Sequence, residues 1–388
     1  MKTKSTLRFV LSKALIVLVC VSLIAAGPAQ GQKTPDQQKQ DQRGRAGSDQ
    51  EIQNEADRIV EQMMKQDGIP GVVLAVVKNG KVVVEKGYGT KSTDSNQPPD
   101  KNTVFYIASL SKAITAVGAM LLVDKGKLKL DDPAGRYMKD LPRAWNSITV
   151  RQFMTHTSGI PELPRREKKQ DDTIAEAFKL AAGLPMAFKP GTDEKYNNFN
   201  FAVIGRLIEE MSGQSYTDYM RRNLFAPLGM SHTGAGILDR FPNHATGYDG
   251  VRGNLKPGVL DVQEFGWPSG GLATTLSDLL KLDEALRSGK LMKRSTYEQM
   301  ITKAEVGSGT PGWFTHDAGG IKLVTKNGYG TMGFSSMYLF APERGDSVIM
   351  IRNFGGKAEI QSPANQLMAA VLGIKDVGRG ATGDDEGR

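Results

Sequence analysis

Cysteine is almost missing: Cys20 is the single one among 388 residues. It lies in an apolar run behind Val17, Leu18 and Val19, without the small residue a lipid-modified cysteine needs directly before it. No lipid anchor is read there, and a chain cleaved beyond that run has neither disulfides nor a thiol nucleophile. Histidine is also scarce. His156, His232, His244 and His316 are scattered, none in a zinc-ligand spacing, and no carboxylate cluster resembles a metal loop. The surroundings of Ser109 lack Gly-x-Ser-x-Gly, which argues against an α/β-hydrolase nucleophile elbow. There is no phosphate-binding glycine loop and no internal repeat.

What is present reads as a soluble globular chain, with 39% hydrophobic and 24% charged residues. The N-terminus stands apart. Lys2, Lys4, Arg8 and Lys13 precede or border an apolar run from Ala14 to Ala26, and Gly27, Ala29 and Gly31 follow. That is the pattern of a secretory signal peptide, with cleavage expected between Gly27 and Gln32 and an uncleaved anchor as the alternative. The expected location is secreted or periplasmic, with no stable membrane anchor after cleavage. Four positive charges of the net +8 belong to residues 1–31, so the remainder carries +4. So small a charge implies no particular partner, and no nucleic acid.

Residues 32–50 are polar, Gln-rich and free of aromatics, the composition of a disordered linker. From Glu51, Ile52, Ala56, Ile59, Val60, Met63 and Met64 are spaced for one helix face, ended by Asp67-Gly68-Ile69-Pro70. Two strand-like runs, 71–78 and 81–89, flank Asn79-Gly80, the strongest short hairpin signal. A helical middle follows. It includes a capped start at 148–154, a turn at 155–161, a helix capped by Asp172-Thr173, and amphipathic stretches at 199–212 and 216–224. Another helical period runs over 272–286, with Asp278 and Asp283 facing outward. Strands return at 321–325, 336–340 and 347–352, a helix at 359–372, and a Gly- and Asp-rich tail at 374–388 that reads as disordered. Strands from both chain ends with helices between them predict one sheet and an inserted, mainly helical region. The single domain spans 51–373.

The chemistry centres on Ser109-Leu110-Ser111-Lys112. A short apolar run ends at Ser109, and Ala113, Ile114, Val117, Ala119, Leu121 and Leu122 continue an apolar helix face. Ser109 and Lys112 fall on one face, one turn apart. Backbone N–H groups at a helix start favour developing negative charge, and a lysine on an apolar face becomes a plausible neutral base. The plainer reading is an N-cap serine, with Ser111 as a rival for the cap. Lys195-Tyr196-Asn197-Asn198 follows a Pro190-Gly191 turn and can send a tyrosine and an asparagine into one cleft; the alternative is a capping Asn198 and a packing tyrosine. The glycines of Lys326-Asn327-Gly328-Tyr329-Gly330 allow close backbone approach to a ligand, or simply make a glycine-rich hairpin. His156 reads as a hydrogen-bonded structural residue in a turn.

Together these motifs resemble the serine β-lactamase and penicillin-binding-protein superfamily, in the branch of class C β-lactamases, D-alanyl-D-alanine carboxypeptidases, D-aminopeptidases and class VIII esterases. The resemblance spans Ile52 to Leu372. It rests on Phe105 to Lys112, Thr155-His156-Thr157-Ser158-Gly159, Pro190-Gly191 with Tyr196-Asn197-Asn198, Pro227-Leu228-Gly229-Met230 with Thr233, Gly270-Gly271-Leu272 with Thr274 and Asp278, and the strand ending at Asn353. It implies an α/β fold of the α+β type: an antiparallel sheet from both chain ends, flanked by terminal helices, with a helical insertion. It implies Ser109 as nucleophile, Lys112 as its proton-handling partner, Tyr196 as second base or relay, and Asn198 as a substrate-amide contact. The third family motif, Lys-Thr-Gly or His-x-Gly, is matched imperfectly. One register puts Asn327 at the cationic position, and a one-residue insertion puts Lys326 there; Lys326 with Gly328 is preferred. That departure counts against a penicillin-type or D-alanine-terminated substrate.

The implied function is a secreted serine hydrolase that forms an acyl-enzyme on an ester, β-lactam or D-amino-acid peptide, with no metal or organic cofactor. The oxyanion donors would be Ser109 N–H and a backbone N–H near Tyr329 or Gly330. The alternative is a non-catalytic relative that binds cell-wall peptides or a protein partner.

Overall fold

The computed structural model describes residues 46–163, 173–236, 238–259, 263–330, 332–356, 359–378 and 380. The expected signal segment and most of the linker lie outside them. At the linker's end, Ser48 accepts the Glu51 N–H and the Glu51 carboxylate accepts the Ser48 N–H. This capping box starts helix α1 (Asp49–Asp67), and Gly68 ends it in the left-handed conformation.

The next strands are β1 (Gly71–Lys78) and β2 (Lys81–Gly89). Their turn places Asn79 at φ 49° and Gly80 at φ 78°, the positive angles that a two-residue hairpin turn demands and that Asn-Gly supplies. After the short β3 (Phe105–Tyr106) comes the serine helix α2 (Leu110–Asp124), buried at every position from Leu110 to Leu122. A helix apolar all round belongs in the middle of a fold, and this one lies there.

The helical region contributes α3 (Val150–Met154), α4 (Ile174–Ala182), α5 (Phe199–Ser212), α6 (Tyr216–Met220), β4 (Gly234–Ala235), the hairpin β5 (Tyr248–Val251) and β6 (Asn254–Pro257), and α7 (Trp267–Gly270). It continues with β7 (Leu272–Thr274), α8 (Leu276–Ser288) and α9 (Arg294–Ile301). The chain then returns to the sheet through β8 (Gly309–Thr310), β9 (Trp313–Asp317), β10 (Lys322–Gly330), β11 (Phe334–Ala341) and β12 (Asp346–Arg352), and ends in α10 (Gln361–Leu372). The seven-stranded sheet runs β2-β1-β12-β11-β10-β9-β8, with antiparallel pairing throughout. Strands 71–78 and 346–352 pair as the second and third strands of that order, so the two chain ends do build one sheet.

Alternate residues of β1 enter different cores. Val72, Leu74 and Val76 meet the terminal helices, while Val73 and Ala75 face the helical region. Burial on both faces explains the unbroken apolar run there.

Three expectations need correction. The period over 272–286 breaks at Thr275, whose hydroxyl caps α8 through the Asp278 N–H; before it, Leu272, Ala273 and Thr274 form β7 and pair with β3 and β4. Asp278 and Asp283 do not face outward. Each is 1% exposed: Asp278 accepts the His232 N–H and the Thr233 hydroxyl, and Asp283 accepts Tyr338 O–H and Arg287 Nε. The tail also begins packed. Val377 is buried, and Asn365 Nδ2 and Gln361 Nε2 donate to the carbonyls of Gly378 and Gly380. Residues 381–388 lie outside the described set.

Candidate active site

Ser109 closes a tight turn rather than a regular cap. Ile107 N–H donates to Leu272 O in the small sheet (3.1 Å), Leu110 N–H returns to Ile107 O (3.1 Å) and Ser111 N–H to Ala108 O (2.9 Å). Between them Ala108 is held at φ 47°. A non-glycine residue there costs about 1–2 kcal/mol, and such strain persists only where the surroundings fix it. Ser109 makes no side-chain cap bond, so its hydroxyl is left for other partners. The rival serine is occupied: Ser111 Oγ accepts Leu272 N–H at 3.1 Å.

Lys112, one turn on, is fully buried. Its Nζ donates to Asn198 Oδ1 (2.7 Å) and to the Ser269 carbonyl (2.7 Å), and lies 3.1 Å from Ser109 Oγ. Two directions of the amine are thereby fixed on carbonyls, and a third points at the serine hydroxyl. That third direction holds a proton when the amine is charged and a lone pair when it is neutral. Asn198, at the start of α5, thus spends its side-chain oxygen on Lys112.

Tyr196 O–H reaches Ser109 Oγ at 2.8 Å. Lys112 Nζ and Lys326 Nζ each lie 4.8 Å from its ring centre. The Thr-His-Thr-Ser-Gly turn props this tyrosine. The His156 ring packs on the Tyr196 ring with centroids 4.5 Å apart, and its Nδ1 accepts the Asn197 N–H at 3.2 Å. Burial, reinforced by the charges of Lys326 and Lys112, holds the His156 pKa well below 6.5, so the imidazole is neutral. Asn197 Nδ2 donates to Ile160 O, and Ser158 O–H donates to Asn200 Oδ1. The loop carrying Tyr196 is therefore bound to the turn beneath it at several points.

Strand β10 borders the same space. Lys326, Gly328 and Gly330 share one face by strand alternation, and Asn327 and Tyr329 the other. Lys326 is 1% exposed and packs against Tyr196 and, at 4.9 Å, the ring of Phe314. Tyr329 turns toward the terminal helices, where its hydroxyl accepts the Ile360 N–H; its expected contact with a substrate is thereby restricted to its backbone. Pairing with β9 stops at Thr325, which leaves the edge beyond it facing the serine. Gly328 makes the approach possible. A Cβ there would stand 2.9 Å from Ser109 N and 2.4 Å from Ile107 O, so any side chain would cover the serine's own N–H.

Residues 56–373 match the family model described as Beta-lactamase. The chain belongs to the beta-lactamase family. Protein flp of Staphylococcus aureus (strain N315) is 28% identical over 324 residues, covering 79% of this chain and 64% of that relative, so the chain spans less than two thirds of the relative's length. The octameric penicillin-binding protein homologue from Pyrococcus abyssi superposes with TM-score 0.72 at 25% identity, over 86% of this chain and 78% of the other. The D-alanine carboxypeptidase AmpC from Burkholderia cenocepacia gives TM-score 0.71 at 24% identity, over 83% and 100%, a likeness of fold.

Of the residues singled out in this beta-lactamase-family chain, Ser109, Lys112, Tyr196 and Asn198 come together through hydrogen bonds, with Lys326 against Tyr196 and Gly328 against Ser109. Asn327, the other candidate for the cationic position, points away. Phe314 and the Ser269 carbonyl carried no local signal in the sequence, although Gly270-Gly271 beside Ser269 did. Among the described residues no group of His, Cys, Asp or Glu could hold a metal ion, and no helix is long and apolar enough to cross a membrane.

Proposed function

We propose that the protein is a serine hydrolase that acts through an acyl-enzyme on an ester or amide bond. The carrying observation is the position of Ser109 Oγ, within hydrogen-bond reach of both Lys112 Nζ and Tyr196 O–H. In the first step Ser109 Oγ bonds to the substrate carbonyl carbon while its proton passes to the Lys112–Tyr196 pair. The carbonyl oxygen becomes an oxyanion facing Ser109 N–H and a β10 N–H near Tyr329 or Gly330. The bond to the leaving alcohol or amine then breaks, and that group takes up the proton. Water repeats the attack on the acyl-serine and releases the acid. Asn198, its oxygen on Lys112, offers its amide nitrogen to the substrate.

Candidate substrates are esters, β-lactams and D-amino-acid peptides. Export through the N-terminal segment to a secreted or periplasmic location belongs to the same proposal. Initial rates on a p-nitrophenyl ester, a penicillin and a D-alanyl-D-alanine peptide test it. Turnover of at least one, abolished in Ser109→Ala, is the expected result. A folded wild-type chain that turns over none of the three and yields no acyl-serine would leave a peptide- or protein-binding relative of the family.

A further inference from the structure

We propose that Ser336 is a positioning residue for the nucleophile: its hydroxyl tethers the turn before Ser109 and so fixes the Ser109 N–H that faces the oxyanion. The inference rests on the acyl-enzyme reading above.

Ser336 lies on β11 and is fully buried. Its Oγ donates to the carbonyl of Ile107 at 2.7 Å, across 229 positions of sequence. The same carbonyl accepts Leu110 N–H at 3.1 Å, so both its lone-pair directions are engaged. Ile107 N–H is fixed separately on Leu272. The next residue is Ala108, with its positive φ, and the next is Ser109. Rotating the peptide plane between Ile107 and Ala108 is the direct way for that strained turn to relax, and the Ser336 bond opposes it. The amide that must meet the oxyanion lies one residue beyond.

The register places this tether where the cleft is tightest. Ser336 stands opposite Gly328, and a Cβ at position 328 would lie 2.7 Å from Ser336 Oγ as well as close to Ile107 O and Ser109 N. One cross-strand pair thus supplies both the gap beside the nucleophile and the tether that holds it. Neighbouring Ser335 does not share the task. Its hydroxyl donates to Phe354 O and accepts Arg352 Nε.

The test uses the full chain carrying Ser336→Ala, with Ser336→Cys, which keeps the volume and weakens the donor, as the second variant. Steady-state ester hydrolysis should show kcat reduced about 10- to 100-fold with KM within about twofold, the loss expected when a catalytic group is displaced by an ångström or less. The pH profile should keep its midpoint, because Lys112 and Tyr196 are untouched. Amide hydrogen exchange should rise in the peptide that spans residues 105–111, and Ser109→Ala should not raise it. Unchanged kcat in both variants together with unchanged exchange would overturn the proposal. Faster exchange in a chain that hydrolyses nothing would retain the tether and sink the hydrolase reading instead.

Discussion

The two faces of the seven-stranded sheet bury their polar groups differently. Toward the terminal helices, Val72, Leu74, Val76, Leu339, Val348 and Met350 meet Ile52, Ile59, Leu367 and Val371 in an apolar core. Its buried Arg352 lies against Ser335 Oγ and the Glu359 carbonyl. Toward the helical region, Lys112, Lys326 and His156 are all buried within one small space, next to a strained alanine. Buried charge is costly even when hydrogen-bonded, and polar groups gathered at such a cost mark chemistry more often than stability. Both faces bury an apolar core, and the one toward the helical region carries the site as well.

That contrast predicts how substitutions separate. The largest effect on activity is expected from Ser109→Ala, which should remove turnover by a factor on the order of 10⁴ or more while leaving the thermal midpoint unchanged or higher. Gly328→Ala should come next. Its methyl group meets Ser109 N and Ile107 O, and kcat should fall roughly 100- to 1,000-fold, the range for loss of an oxyanion donor. On the opposite face, Leu339→Ala should lower unfolding free energy by about 2–5 kcal/mol in urea titrations and leave kcat of the folded fraction within about twofold. A large loss of kcat in Leu339→Ala at temperatures where it is folded would blur the division between the faces.

A smaller effect should appear with pH. His156 is neutral in the folded chain and has a pKa near 6.5 when unfolded, so the unfolded state takes up a proton that the native state refuses. Stability is full above that value and is lost as pH falls toward the depressed folded pKa. Between pH 6.5 and 5, His156→Gln should flatten the stability curve by up to about 1.4 kcal/mol per pH unit. An identical slope in the variant would mean that the imidazole charges in place.

Much of this molecule was legible in its sequence, and the illegible parts share a cause. Asn79-Gly80 set a hairpin because only residues tolerant of positive φ close such a turn, and Phe199–Ser212 showed its helix through a regular apolar face. Leu272–Thr274 misled because a run of three residues fits either element, and its pairing with Phe105–Tyr106 and Gly234–Ala235 makes it a strand. Asp278 and Asp283 read as surface residues because their partners, Thr233 and Tyr338, lie 45 and 55 positions away. The site followed the same rule. Ser109 and Lys112 were visible together because helical spacing links them, whereas Phe314, Ser269 and Ser336 join it only through the fold.

The central claim is that Ser109 is an activated nucleophile, and intact-protein mass after exposure to a fluorophosphonate tests it most directly. The account predicts one covalent adduct per chain, absent from Ser109→Ala and formed more slowly in Tyr196→Phe. A folded wild-type chain that gains no mass, or a Ser109→Ala chain that gains the same adduct, would contradict it.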